Sequence, residues 1–390
     1  MAFRQWLRTI GPIDRTVARI RARQTRAAYE DFCVRFGAEL GPGLAARVRH
    51  RMAEVRLAAR ANTPRVFYLG TDEFQDRSGF LQALSRYADV RVFTREDGAY
   101  GQNDPRPPEI RIPAITARLL ALLESHAAEG WTPDVLMGQT WASVIDPDVL
   151  SVVRQRWGAL IINISMDDRH QFVGPKLKNG QYGGVLPLVP HLDLALTAAP
   201  ECVRWYESQG CPALYFPEAS DPEIFRPMPT QPKVHDVSFV GARYGIREKL
   251  VTALRGAGID VHAYGSGWEG GRLPVDAVPA LFAQSRIILG VGTIGHCDDF
   301  YALKLRDFDA PMSGSCYLTH DNTDLHGLFD VGREIVTYRN IDDCLEKAKY
   351  LLAHEDERES IARAGHARAV GEHTWDLRFA GLFGLLKGLG

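Results

Sequence analysis

Hydrophobic residues recur with two different periods along this chain. In residues 1–60, apolar side chains such as Ile13, Val17 and Ile20 follow helical spacing, with no strand-like alternation. This spacing predicts a helical extension.

Strands that alternate with helices predict a parallel sheet covered on both faces. That pattern begins at residue 65, with short β-rich runs at 65–70, 90–94, 134–138, 160–165, 194–199 and 213–219.

The same alternation restarts after a proline-rich segment, residues 222–236, that has neither period. We therefore predict two doubly wound α/β domains, residues 61–225 and 236–375, joined by a linker at 226–235. A terminal helix at 376–390 is expected to pack back across the domain boundary. Ligands bind outside the carboxyl ends of the strands in such domains, so we expect the active site in a cleft between them.

Composition narrows the class of protein. The 390 residues are 45% hydrophobic and 24% charged, which is typical of globular chains and excludes disordered, collagen-like and membrane-spanning classes. The six cysteines form no CxxC pair, so no zinc site is predicted. No secretion signal or long apolar run is present, and a cytoplasmic protein is expected.

The helical extension is strongly basic. Residues 1–60 contain thirteen arginines and five acidic residues, whereas the whole chain has a net charge of −2. A basic helix can bind an anionic membrane surface, which would make the protein peripheral to the membrane. No nucleic-acid motif accompanies it, so no specific nucleic-acid partner is predicted. The interpretation that we favour is a helical pair packed on the first domain or on a neighbouring subunit.

The first strand of the second domain ends in a candidate phosphate site. In FVGARYGIREK (239–249) a strand ends at Gly241 and a helix follows a short loop. A helix amino terminus attracts anions, and the cations Arg243, Arg247 and Lys249 favour a diphosphate there. The alternative is a glycine needed for a tight turn, with the basic residues in solvent.

A second candidate unit lies between residues 303 and 329. It holds Lys304, Arg306, Asp309 and Gly314 within a few residues of one another. A carboxylate can accept two hydrogen bonds from a vicinal diol, and Lys and Arg can neutralise phosphates. Together these groups predict a nucleotide-sugar site, while the alternative is a surface helix of mixed charge.

Both units carry a resemblance to a known family. About four-fifths of the chain, without residues 1–60, resembles the spore-maturation-protein-like glycosyltransferase family of the glycosyltransferase group 1 clan. The resemblance implies the GT-B fold: two Rossmann-like domains that face a cleft, here with an N-terminal helical extension. The matching segments include DVSFVGARYGIREKL, AYGSGW, LKLRDFDAPMSGSCYLT, GREIVTY, NISMDDRH and the ending YLLAHEDERESIARAGHARAVGEHTWDLR.

The resemblance implies roles for individual residues. Asp309 would bind the donor ribose and Gly314, five residues later, would let the backbone approach the diphosphate. The family has Glu where Asp309 stands, and its first acidic position, eight residues earlier, is Tyr301 here. The phosphate clamp would come from basic residues near Gly241 and before Asp309: Arg243 with Arg247 or Lys249, and Lys304 or Arg306.

Another polar cluster follows a buried-looking strand of the first domain. Asp167, Asp168 and His170 come directly after LIINIS. Carboxylates beside an imidazole could orient or deprotonate an acceptor hydroxyl. The alternative is a helix cap with a solvated His. A metal bound by the Asp pair is discounted, because the resembled fold neutralises the leaving diphosphate with basic residues and a helix dipole.

We therefore predict a glycosyltransferase that moves a sugar from a nucleotide-diphosphate donor to an acceptor hydroxyl or amine. The resemblance favours retention at the anomeric carbon, with no metal and no cofactor besides the nucleotide sugar. The acceptor could be a glycan, a protein or a small molecule. Two alternatives remain: another GT-B enzyme, such as a nucleotide-sugar epimerase, or a noncatalytic scaffold that has lost the first acidic position.

Overall fold

The computed structural model describes residues 11–57 and 63–388 of the chain. They form two compact units. The N-terminal unit comprises residues 32–218 and 375–388, and the C-terminal unit comprises residues 11–31 and 219–374.

Eleven strands and twelve longer helices are defined in the described residues. The strands are β1 (Arg65–Leu69), β2 (Asp89–Val92), β3 (Val135–Gly138), β4 (Leu160–Ser165), β5 (Leu194–Thr197), β6 (Ala213–Tyr215), β7 (His235–Val240), β8 (Val261–Tyr264), β9 (Ser285–Leu289), β10 (Cys316–His320) and β11 (Val336–Tyr338). The helices are α1 (Gly11–Phe36), α2 (Pro42–Glu54), α3 (Leu81–Tyr87), α4 (Pro108–Ala128), α5 (Asp148–Trp157), α6 (Cys202–Ser208), α7 (Ile246–Gly256), α8 (Val278–Ala283), α9 (Arg306–Met312), α10 (Ile341–Ala353), α11 (Glu355–Glu372) and α12 (Trp375–Leu386). Shorter helical turns occur at Glu73–Gln75, Asp76–Phe80, Asp168–Gln171, Leu186–His191, Val275–Ala277 and Thr323–Gly327.

The N-terminal unit is built on a six-stranded parallel sheet in the order β2-β1-β3-β4-β5-β6. Its central strands are buried along nearly their whole length, as expected for a parallel sheet covered on both faces. The register pairs Gly138 with Asn163 and Ser165 with Thr197. Two polar residues, Ser165 and Thr197, therefore stand side by side at the carboxyl ends of β4 and β5.

The C-terminal unit has a five-stranded parallel sheet in the order β11-β10-β9-β7-β8. A hydrophobic cluster joins Val237 and Phe239 of β7 to Leu250 and Leu254 of α7. Since β7 lies inside the sheet, its carboxyl end faces the loops of neighbouring strands. Two parallel sheets with covering helices confirm the predicted α/β class.

The described residues near the two ends of the chain pack within the units to which they belong. Within the C-terminal unit, the Arg26 guanidinium lies 2.9 Å from the Asp299 carboxylate and Tyr29 lies 4.7 Å from Phe300, ring centre to ring centre. Within the N-terminal unit, Phe32 meets Trp205 edge to face at 5.8 Å. Part of the basic extension is thus a packed helical element.

Helix α12 belongs to the N-terminal unit. Its aromatic side chains pack on α3 and the turn before it: Phe379 lies 5.1 Å from Phe80, and Phe383 stacks on Tyr87 at 6.0 Å. In the part of the chain that the structure describes, no helix combines the length and apolarity that crossing a bilayer requires.

Candidate functional site

The loop after β7 is held by a second loop that follows β8. The Gly241 amide donates to the Tyr264 carbonyl at 2.7 Å, and the Arg243 amide donates to the Ser266 carbonyl at 2.8 Å. The Trp268 indole N–H donates to the Gly241 carbonyl at 2.8 Å. The Gly241 and Arg243 amides therefore fix the loop and are not available to bind an anion.

Two arginines from different elements converge on Gly241. A Cβ placed on this glycine would lie 3.0 Å from Nη1 of Arg306 and 3.4 Å from Nη1 of Arg247. Arg247 stands in the first turn of α7, and Arg306 is the first residue of α9. A side chain at this position would press on the two guanidinium groups.

The two arginines are only partly neutralised. Burial, and then the neighbouring Arg306, lower the pKa of Arg247 to about 10. Arg306 donates to the carbonyls of Val240 and Val291, and Arg247 donates to the Ala242 carbonyl at 3.2 Å. Within the described chain, the Nε of each arginine is buried without a hydrogen-bond partner, and no carboxylate forms an ion pair with Arg247. Paired cations with spare donors are suited to a phosphate group.

The other basic residues that the sequence predicts to bind phosphate lie in different surroundings. Arg243 is exposed and forms an ion pair with Glu248, and its guanidinium lies 5.3 Å from the Trp268 ring centre. Lys249 is also exposed, with its Nζ 3.8 Å from the Asp298 carboxylate. The Lys304 amide donates to Asp307 at 2.7 Å at the start of α9. The structure thus brings Arg247 and Arg306 together and leaves Arg243 and Lys249 at the surface.

Asp309 lies buried on α9, with 5% of its surface exposed. Its Oδ1 accepts a hydrogen bond from the Ser220 hydroxyl at 2.7 Å, and burial raises its pKa well above the usual range. Gly314, at the end of the turn after α9, has a φ of +72°, and an added Cβ would lie 2.8 Å from the Pro227 ring. Gly314 is therefore required by the turn itself.

An aromatic group beside Arg247 was missed by the sequence analysis. His320, the last residue of β10, is 1% exposed, and its ring centre lies 4.5 Å from that of Tyr338 and 5.1 Å from that of Tyr301. Burial, and then Arg247, lower the pKa of His320 to about 4, so the ring is neutral. Its Nε2 is buried without a partner among the described residues. The sequence indicates such a residue only by its position, because a polar residue that ends a parallel strand lies where ligands bind in this class of fold.

The predicted acceptor-side residues do not form one cluster. Asp168 is 1% exposed, and its carboxylate accepts hydrogen bonds from the hydroxyls of Ser165 at 2.6 Å, Thr197 at 2.6 Å and Tyr206 at 2.8 Å. These bonds tie the ends of β4 and β5 to α6. Asp167 and His170 are half-buried instead, with His170 Nε2 4.0 Å from the Asp167 carboxylate.

Asp168 is expected to make stability depend on pH. Burial raises its pKa from 3.8 to about 7, so between these values the folded protein keeps a proton that the unfolded chain has lost. The free energy of unfolding should therefore fall by about 3 kcal/mol from pH 5 to pH 8 because of this group. In Asp168→Asn, whose amide can still bond to hydroxyls, denaturant titrations should show a clearly smaller fall. An unchanged pH profile would contradict this assignment.

The N-terminal unit contains a second polar network, which the sequence did not predict. Asp76 is fully buried near the carboxyl end of β1, and its carboxylate accepts from the hydroxyls of Tyr100 at 2.7 Å and Tyr68 at 3.1 Å. Gln139, just after β3, donates to the Tyr68 hydroxyl at 2.9 Å. Burial raises the pKa of Asp76 to about 6. The network fixes the loops that follow β1 and β3.

Solved structures show the same fold. Sucrose-phosphate synthase from Thermosynechococcus elongatus aligns with a TM-score of 0.61 at 11% identity, over 83% of this chain and 99% of that one. The catalytic domain of starch synthase IV from Arabidopsis thaliana, bound to ADP and acarbose, has a TM-score of 0.59 at 9% identity, over 84% and 100%. HepE from Anabaena, in complex with UDP and glucose, has a TM-score of 0.55 at 11% identity, over 82% and 99%.

These likenesses confirm the predicted GT-B fold. At the level of sequence, the family described as glycosyl transferase-like matches residues 246–384, a stretch that includes Arg247, Arg306, Asp309 and Gly314. No curated protein matches the chain. The spore-maturation-protein-like subfamily stays a prediction. The chain therefore has the GT-B fold, and its residues 246–384 match the glycosyl transferase-like family.

Proposed function

We propose that the C-terminal unit binds a nucleoside-diphosphate sugar and that the protein transfers the sugar to an acceptor hydroxyl or amine. The observation that carries this proposal is the convergence of Arg247 and Arg306 on Gly241. When the glycosidic bond to phosphate breaks, negative charge grows on the leaving diphosphate. Cations held in place before the reaction stabilise that charge most in the transition state.

The arginine pair also supports a metal-independent reaction. Two guanidinium groups supply the charge that a divalent cation would otherwise supply at a diphosphate. Retention at the anomeric carbon is proposed from the family resemblance. HepE, whose structure contains UDP, and starch synthase IV, whose structure contains ADP, have folds similar to this one. This similarity supports a nucleotide as the donor's leaving group.

For the acceptor, we propose Asp167 and His170 as the groups that orient or deprotonate the attacking hydroxyl. Both are partly accessible, and their side chains lie 4.0 Å apart. Asp168 is assigned a structural role, because three hydroxyl groups already bond to its carboxylate.

Stabilisation by nucleotides tests the donor site. The protein should be melted with UDP, GDP, ADP, TDP and CDP, and in parallel with the corresponding nucleosides. One diphosphate at about 100 times its Kd should add about 2.7 kcal/mol to the free energy of unfolding, and its nucleoside should add far less. No stabilisation by any diphosphate at millimolar concentration would favour the scaffold alternative.

The selected nucleotide sugar then separates the enzymatic alternatives. Transfer requires an acceptor, so product should form only when candidate glycans, proteins or small molecules are added. An epimerase would isomerise the sugar or release the free nucleotide without an acceptor.

Asp309→Ala tests the ribose contact. If the carboxylate binds the ribose hydroxyls, its removal should cost about 1.5 to 3 kcal/mol, or roughly 10- to 100-fold in affinity for the diphosphate. The nucleoside should lose affinity by a similar factor, because it carries the same ribose, while pyrophosphate should not. Ser220→Ala is the matched control: it removes the hydrogen bond to Asp309 but keeps the carboxylate. Equal affinity in wild type and Asp309→Ala would refute the assignment.

A further inference from the structure

Two histidines and an aspartate meet at the amino ends of β7 and β8. His235 is the first residue of β7, Asp260 directly precedes β8, and His262 is the second residue of β8. The strands pair in parallel, with Ser238 opposite His262. Gly241 follows the opposite, carboxyl end of β7, so this cluster is distinct from the proposed donor site.

The three side chains already lie near metal-binding distances. The His235 and His262 ring centres are 3.9 Å apart, His262 Nε2 lies 3.0 Å from Asp260 Oδ2, and His235 Nδ1 lies 3.9 Å from the same oxygen. One ligand atom from each residue falls within 4.8 Å of the others. A tetrahedral zinc ion with bonds of about 2.0 to 2.1 Å sets its ligand atoms roughly 3.3 Å apart, which lies between the shortest and longest of these separations, so small side-chain rotations can supply it.

The surroundings leave the ligands accessible. Asp260 is exposed and the two histidines are half-buried. The neighbouring Arg286 guanidinium, on β9, donates a hydrogen bond to the Asp236 carboxylate at 3.0 Å. The Asp260 amide donates to the other oxygen of Asp236 at 3.2 Å, which fixes the backbone that carries the carboxylate.

We propose that His235, Asp260 and His262 form a binding site for a divalent transition metal of the zinc class. Two imidazoles and one carboxylate favour zinc, nickel or copper over magnesium and calcium, which prefer sets of oxygen ligands. Three protein ligands leave a fourth position for water. Because β8 is the edge strand of its sheet, a bound ion would fasten this edge to β7. The proposal does not depend on the proposed transferase reaction.

Metal titration of the full-length protein tests the proposal. Zn²⁺ alone, titrated against a chromophoric chelator, should bind with one-to-one stoichiometry, and Mg²⁺ at the same concentration should not compete. Co²⁺ should give visible absorption bands of tetrahedral coordination. The melting temperature should rise with Zn²⁺, since an ion that binds the folded state stabilises it.

Variants locate the ion. His262→Asn should lower the affinity for Zn²⁺ by more than about tenfold and abolish the cobalt bands, and Asp260→Asn should act in the same direction. The matched control is His326→Asn, because His326 also pairs with an aspartate, Asp321, at 2.7 Å but belongs to no such three-residue cluster in the described chain. The His326→Asn variant should bind Zn²⁺ with the affinity of wild type. Wild type without stoichiometric binding, or binding that survives both variants, would overturn the proposal.

Discussion

Replacing Arg247 with Met should weaken binding of the preferred nucleoside diphosphate by at least about 100-fold, while affinity for the nucleoside changes only a few-fold. Hydrogen bonds to charged groups contribute about 1.5 to 3 kcal/mol each, and a guanidinium makes two of them to one phosphate. The folded protein without ligand should not be destabilised. Arg247 is a buried cation beside Arg306, with one hydrogen bond to a carbonyl, so an apolar side chain of similar length removes repulsion.

Opposite effects on binding and on stability are the signature of a ligand site. Isothermal titration with diphosphate and nucleoside, together with denaturant unfolding, measures both. Arg243→Met is the informative comparison, because Arg243 is exposed and already paired with Glu248. We expect it to lose less than a tenth of what Arg247→Met loses in affinity. A larger loss in Arg243→Met would place the phosphates on the outer side of the Gly241 loop.

Replacing Gly265 with Ala should destabilise the protein by about 3 kcal/mol or more. The residue has a φ of +131°, and a Cβ would lie 2.4 Å from the Gly241 carbonyl oxygen and 2.5 Å from its carbon. Both atoms belong to the backbone, so no side-chain rotation can relieve the contact. The loop that carries Gly241 would have to move, and nucleotide binding should weaken together with stability.

Denaturant unfolding and the nucleotide titration check this result. Gly256→Ala provides the control, since Gly256 ends α7 and its added Cβ would meet nothing within 4 Å. That variant should match wild type or gain up to about 1 kcal/mol. If Gly265→Ala had wild-type stability and affinity, the close approach of the two loops would not be essential.

The sequence predicted the frame of the donor site but not which cations complete it. The strand, Gly241 and the helix after it were readable from FVGARYGIREK, because alternating apolar periods and a glycine mark such a junction. Whether a cation is already neutralised depends on tertiary neighbours. Arg243 is paired with Glu248, whereas Arg247 is enclosed by Phe239, Tyr244 and Arg306. Residue spacing alone cannot separate these two cases.

Asp168 illustrates the same limit. Its position after a buried strand suggested a catalytic role, and the local sequence shows only one of its three partners, Ser165. Thr197 and Tyr206 come from β5 and α6, about 30 to 40 residues later in the chain. Such contacts follow from strand order, which a single sequence does not specify. The catalytic role of Asp167 and His170 stays a prediction for the same reason.

The placement of α12 has a consequence for biosynthesis. The polypeptide enters the N-terminal unit at Phe32, leaves it at Glu218 and returns to it at Trp375. While the chain emerges from the ribosome, Phe80 and Tyr87 lack the aromatic partners that α12 supplies until some 300 further residues have been made. The nascent N-terminal unit therefore presents an uncovered apolar face for most of translation, a surface that chaperones bind and that invites aggregation. Its folding is completed only after the C-terminal unit has been synthesised.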